Sequence, residues 1–187
     1  IVEFDTETEG FDPYLCKLIS AQFGDADNQF VIDSETISIR KFKSLLEHKL
    51  ILMQNAKFDL RFLYVAGIFP KNIYDTFLAE AVLNMGRRGV RKGLDKLVHR
   101  YCNTYMSKEV RGLIFKEGLS ERVIRYAAGD VTYLSEIREG QLIKLEENNL
   151  MKAIDLDNQF VKVLAYIEYC GFNLDTKKWK KKMTDDM

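Results

Sequence analysis

What most constrains this chain is a change of rhythm about a fifth of the way along it. Three β-rich runs come first: Ile1-Val2-Glu3-Phe4-Asp5 continuing through Thr6-Glu7-Thr8, then residues 18–23, then residues 29–32. Gly24-Asp25-Ala26-Asp27-Asn28 between the last two has turn chemistry, so the three runs predict an antiparallel meander. Helical spacing then takes over. Ile39, Phe42, Leu45 and Leu46 share one face, residues 50–53 (LILM) form a short buried strand, and Phe58, Phe62, Leu63 and Ala66 mark a helix ending at Gly67. Asp75 is placed as the N-cap of a helix carrying Phe77, Leu78, Ala81 and Val82. Residues 86–89 (GRRG) form a basic loop, and residues 93–101 a short amphipathic helix. Ser120 is expected to cap the strongest helix, with Ile124, Ala127, Val131, Leu134 and Ile137 on one stripe. The order of elements predicts an α/β fold with a mixed sheet, antiparallel meander plus parallel strands, flanked by helices.

At 187 residues the chain has room for one domain and a small appendage, with a core that needs no disulfide or structural metal. We place the main domain at residues 1–150 and a helical appendage at 151–187, outside the first core. The hydrophobic fraction of 47% and only 2 prolines exclude a disordered or low-complexity chain. No apolar run approaches the roughly 18 residues of a membrane span, so no membrane is expected as a partner. Cys16, Cys102 and Cys170 are odd in number and lack zinc-ligand spacing, which fits a reducing compartment. The chain opens inside a strand without an initiator Met, as a piece of something longer does.

Lys+Arg and Asp+Glu are 28 each, and the net charge of zero argues against a simple basic coat protein. Their distribution is polar. The first 36 residues hold nine acids and one base, Lys17, whereas residues 84–111 hold eight bases, among them Arg87, Arg88, Arg91, Lys108 and Arg111, against Asp95 and Glu109. A metal site beside a polyanion track has such poles, although a solvated, charge-mixed surface explains them on composition alone.

Three motifs carry chemistry. Asp5 and Glu7, two apart on a strand, leave the same face, and a cation between them would relieve both repulsion and desolvation. Asp59 lies one turn into a helix, where an acid also suits the macrodipole, and Asn55 before it reads as an N-cap. Tyr126 and Asp130 sit one above the other at i, i+4, separated by Ala127, Ala128 and Gly129, small residues that permit close approach to another element. Each has an ordinary surface explanation; the set is far more specific than its members.

In order, F-D-T-E-T, N-x-x-F-D and Y-x-x-x-D resemble the three motifs of the four-acid 3′–5′ exonuclease superfamily, which has a ribonuclease H-like fold. The tyrosine, where another subclass has histidine, is similar to proofreading domains of family A DNA polymerases and to RNase D. Residues 74–80 (YDTFLAE), 93–101 (GLDKLVHRY) and 119–134 resemble the family's connecting helices. The resemblance implies that Asp5, Glu7 and Asp130 bind one divalent metal and that Asp5 bridges to a second anchored by Asp59. All-oxygen ligation implies Mg²⁺ or Mn²⁺. Tyr126 would orient the attacking water; with an ordinary pKa near 10 a tyrosine is a poor base, so the metal must acidify. Thr8 and Phe11 are implied to touch the terminal nucleotide, Gln54 and Asn55 its sugar or phosphate, and Arg87, Arg88 and Arg91 to guide a single strand. Residues 160–175 resemble the start of a polymerase thumb, in which an apolar helix and a Glu precede a Gly turn. The expected activity is hydrolysis of single-stranded or frayed DNA 3′ ends to 5′-mononucleotides. The polymerase would lie in the same parent chain, in a bacterial or phage-infected cytoplasm. RNase D-like RNA trimming, a decayed nucleic-acid-binding module and a purely structural domain are the alternatives.

Overall fold

The computed structural model describes residues 1–25, 27–106 and 117–186. Lys108, Glu109 and Arg111 of the basic pole lie outside the described residues. β1 (Val2–Thr8), β2 (Leu18–Gly24) and β3 (Gln29–Asp33) form the expected meander, with Phe4 opposite Phe23 and Phe23 opposite Phe30. The β2–β3 turn closes on the Asp25 carboxylate, which accepts from the backbone N–H of Asp27 and of Asn28. β4 (Leu50–Met53) runs parallel to β1, and β5 (Asn72–Asp75) parallel to β4, giving a mixed five-stranded sheet in the order β3-β2-β1-β4-β5. β5 is absent from the sequence reading. Its four residues run directly into the helix that Asp75 caps, too short a span to show a period of its own.

Helices cover both faces. A 3₁₀ turn (Ile39–Phe42) leads into α1 (Lys43–His48), and α2 (Lys57–Val65) follows β4. α2 ends in a Schellman motif: Gly67, at φ 77°, donates to the Tyr64 carbonyl, and Ile68 donates to that of Leu63. Phe4, Ala21, Phe23, Ile51 and Met53 form one cluster with Leu46, Leu60 and Leu63 on this face. Leu52, pointing the other way, packs with residues of α3 (Thr76–Leu83), α5 (Glu121–Thr132) and α6 (Leu134–Glu147). α4 (Leu94–Tyr101) joins Leu97 and Val98 to Ile137 of α6.

Two expectations are corrected here. The single strong helix after Ser120 is two helices, interrupted at Tyr133 (φ −111°, ψ 0°). Of its expected stripe Ala127, Val131, Leu134 and Ile137 are buried, but Ile124 is 39% exposed and Val123 faces inward instead. The Ser120 hydroxyl bonds to Glu117 and caps no backbone N–H. Nor does the chain after residue 148 stay outside the first core. α7 (Met151–Cys170) lies along α2 and buries Val161 and Ala165 in the cluster that contains Phe4. Its inward stripe is Ile154, Asn158, Val161 and Ala165, while the more conspicuous Phe160, Val163 and Ile167 point outward. A polar Asn in the stripe hides it from a hydrophobicity count. Glu168 pairs with Lys57 and Arg61 of α2, and Gly171, at φ 64°, ends the helix. α8 (Thr176–Asp185) buries nothing. Cys16, Cys102 and Cys170 are free thiols, and no described helix is long and apolar enough to cross a membrane.

Candidate active site

The three mutually parallel strands end on one edge of the sheet, at Thr8, Met53 and Asp75, where open α/β sheets place their ligands. Pleating divides β1 between the two layers. Asp5 and Glu7 leave on the side of α5, and Thr6 leaves on the side of α2. α5 lays its inner face across β1, β2 and β3 and brings Asp130 to the strand. Carboxylate oxygens of Asp5, Glu7 and Asp130 lie within 4.8 Å of one another. Tyr126, one turn back along α5, lines the same cavity. Close approach rests on Ala127, which is fully buried. A Cβ added at Gly129 would meet nothing within 4 Å, so that glycine is not needed for it.

Asp59 enters from the other layer. It sits in the first turn of α2, 2% exposed, and accepts the Thr6 hydroxyl on Oδ1 at 2.5 Å. A residue between the two strand acids, on the opposite face, thus carries the fourth acid to them. Behind it stands Asp75. Its Oδ1 accepts from the Phe77 and Asn55 N–H groups and its Oδ2 from that of Ala56, while its own N–H donates to Asn158 of α7. Asp75 caps α3, as expected, and also fixes the entry to α2. Asn55 is not the N-cap: it lies in the left-handed region at φ 65°, and Ala56 takes the cap position. Burial pushes the Asp75 carboxyl up to about 6 despite its backbone donors.

The cavity measures about 810 Å³. Among the described residues, six carboxylates line it (Asp5, Glu7, Glu9, Asp59, Asp95 and Asp130) and no Lys or Arg does. Burial, followed by the charges of Asp59, Asp130 and Glu7, holds the Asp5 carboxyl well above the usual range. Burial lifts Asp59 to about 7, against the opposing bond from Thr6. Such a set repels phosphate as it stands. It fits divalent cations, which would relieve the repulsion between acids and supply the missing positive charge, and its all-oxygen donors suit Mg²⁺ or Mn²⁺.

Of the substrate-binding candidates, Thr8, Phe11, Gln54 and Asn55 line the cavity. Phe11 stands at its rim, 83% exposed, edge-on to Phe58, with its carbonyl accepting from Arg61. The Thr8 hydroxyl bonds to the Gly10 carbonyl, and the Gln54 amide is engaged at both ends, donating to the Lys92 carbonyl and accepting from Thr76. Arg87, Arg88 and Arg91 do not line the cavity. They are exposed on the loop between α3 and α4, which Gln54 moors to the rim through Lys92. Missed in the sequence were Phe58, Phe77, Leu94, Asp95 and Met106 on the walls. Asp95 had a signal, an acid in the first turn of α4, but the macrodipole explains such acids equally well.

A family model described as 3′–5′ exonuclease matches residues 1–145. DNA polymerase I of Aquifex aeolicus is 28% identical over 96% of this chain and 33% of its own length. Ribonuclease D of Bartonella henselae is 30% identical over 96% of this chain and 43% of its own. The chain thus spans less than half of each. Among solved structures, Brucella melitensis NrnC bound to pGG superposes with a TM-score of 0.80 at 25% identity, covering 91% of this chain and 85% of that one.

Proposed function

The chain belongs to the 3′–5′ exonuclease family, and from that premise we propose that it removes 5′-mononucleotides from single-stranded or frayed DNA 3′ ends. The observation that carries this reading is the closure of Asp5 and Glu7 of β1 on Asp130 of α5, beside Tyr126, in a cavity lined by acids. Asp5, Glu7 and Asp130 would hold one divalent cation, and Asp5 and Asp59 a second. Bound there, such cations would supply Lewis acidity for a water and offset charge on the leaving 3′ oxygen. Tyr126 would orient that water from its place one turn back from Asp130. Phe11 stacks on the terminal base at the rim, Thr8 and Asn55 border the sugar, and Gln54 holds the arginine loop where a strand would pass. The test is digestion of a 3′-terminal oligonucleotide with Mg²⁺ or Mn²⁺ and with chelator. Metal-dependent release that Asp5→Ala abolishes is expected; activity in chelator, or in the variant, would refute the reading.

The proposed parent is a family A polymerase, with catalysis in residues 1–150 and the segment 151–187 leading toward the polymerase body. That boundary separates roles, since the hydrophobic core is shared across it through α7. The reducing cytoplasm suits its three free thiols. A second reading, RNase D-like RNA trimming, is favoured by the Bartonella relative, whose match also extends over 96% of this chain, and by the NrnC bound to pGG. DNA and RNA oligonucleotides of equal length, with paired and mismatched 3′ ends, separate the two. Proofreading predicts single-stranded DNA first, then a mismatched end, then a paired one, because a mismatch lowers the cost of unpairing. Faster digestion of RNA, or indifference to the mismatch, supports trimming instead.

A further inference from the structure

β1 carries a third carboxylate on the face of Asp5 and Glu7, and it lies outside the acidic cavity. Glu3 is fully buried, two residues before Asp5, and its Oε1 accepts the backbone N–H of Ser135 at 2.8 Å. Its Oε2 has no hydrogen-bond partner among the described residues. A buried carboxylate half satisfied is costly, and a leucine or methionine would fill this position in a hydrophobic layer without that cost. The one bond it makes is therefore the feature that distinguishes it.

Ser135 is the second residue of α6, so its N–H is one of the four at a helix start with no partner inside the helix. α6 is joined to α5 by Tyr133 alone. The bond from Glu3 therefore grips the α5–α6 joint five residues beyond Asp130. It does so from the strand that bears the two acids Asp130 must meet. The surroundings are cut to fit. Gly24 pairs with Glu3 across β2, and a Cβ there would lie 2.6 Å from Glu3 Oε2 and 3.1 Å from Val131 of α5. The missing side chain makes the space in which the carboxylate and the helix meet.

We infer that Glu3 is a positioning residue: by holding the start of α6 to β1 it sets the height of α5 over the strand, and with it the closure of Asp130 on Asp5 and Glu7. The inference rests on the metal-binding reading of that acid cluster. It predicts that reach matters and charge does not. Glu3→Gln keeps the length and an acceptor oxygen for Ser135. Glu3→Asp keeps the charge but falls one methylene short.

The experiment titrates Mn²⁺ into the full chain by calorimetry, with amide exchange at Ser135 measured on the same samples. Glu3→Asp should weaken Mn²⁺ binding about tenfold, the scale on which supporting residues act on metal sites, while Glu3→Gln stays within about twofold of the parent. Ser135 exchange should quicken in Glu3→Asp alone. Loss of Ser135 protection without weaker Mn²⁺ binding would overturn the proposal, since the bond would then be only structural. Glu3→Gln impaired as much as or more than Glu3→Asp would overturn it too, because charge would then be what counts. Failure of the parent chain itself to bind Mn²⁺ would strike the reading of the acid cluster, a result distinct from either.

Discussion

The Thr6 hydroxyl donates to Asp59 Oδ1 at 2.5 Å, joining residues 53 apart in the chain and from opposite layers of the fold. Thr6 lies between Asp5 and Glu7, so one short strand segment presents two acids to α5 and receives a third from α2. Any tilt of β1 therefore moves Asp5 and Glu7 together relative to Asp130.

Thr6→Val keeps the shape of the side chain and deletes the donor. A bond from a neutral donor to a charged acceptor contributes roughly 1.5–3 kcal/mol, so metal-dependent turnover should fall about ten- to a hundredfold. Thr6→Ser should retain most of it. Turnover at saturating Mn²⁺, set against the Mn²⁺ midpoint, measures this, and an unaltered Thr6→Val would show that Asp59 is placed by α2 alone.

Acidity should govern the stability of the metal-free protein. Asp59 is raised to about 7 and Asp75 to about 6, chiefly by burial, against roughly 3.9 for an unfolded aspartate. Between these values the folded chain binds more protons than the unfolded one. The stability they contribute is full below about pH 4 and is lost as pH rises through 6 to 7. Melting in chelator should therefore shift downward from pH 5 to pH 7.5, and Mn²⁺ should reverse the trend at the upper end. A melting temperature that climbs with pH in chelator would contradict the protonated cluster.

Tyr126→Phe should leave Mn²⁺ binding intact and slow the chemical step about ten- to a thousandfold, or roughly 1.4–4 kcal/mol, because the hydroxyl orients the nucleophile without holding the cation. Single-turnover digestion alongside calorimetry decides the matter. Weaker Mn²⁺ binding in the variant would place Tyr126 among the groups that hold the metal.

The arginine loop should act on affinity and leave chemistry alone. Arg87, Arg88 and Arg91 are exposed outside a cavity with no described basic lining, so they are placed to meet phosphates before the terminal nucleotide enters. Replacing all three with Gln should flatten the dependence of single-strand affinity on salt by up to about three phosphate contacts. An unchanged slope would move the track elsewhere, first to the lysines of residues 177–182 on α8.

Much of the site was legible because its parts are local. Two acids on one strand face need only a period of two, and Tyr126 over Asp130 needs only i, i+4. The meander showed itself through turn residues between β-rich runs. Other features had no local signature. β5 was too short to display a period, and the break at Tyr133 fell inside a continuous apolar pattern. Asn55 reads as a cap until Asp75, 20 residues on, takes its N–H and that of Ala56. The inward face of α7 was concealed by Asn158, whose purpose is a backbone N–H on β5.

By itself, then, the sequence determined which side chains share a face, where the meander turns, and which four acids and one tyrosine resemble the exonuclease motifs. These follow from backbone geometry, which repeats over a few residues. Only the tertiary structure decided what each face meets: Thr6 with Asp59, Asp75 with the entry to α2, α7 with the first core, and Glu3 with Ser135, 132 residues away. Such pairings depend on how whole layers stack. A carboxylate on a strand looks the same in the sequence whether it will hold a cation, as proposed for Asp5, or the start of a helix, as Glu3 does.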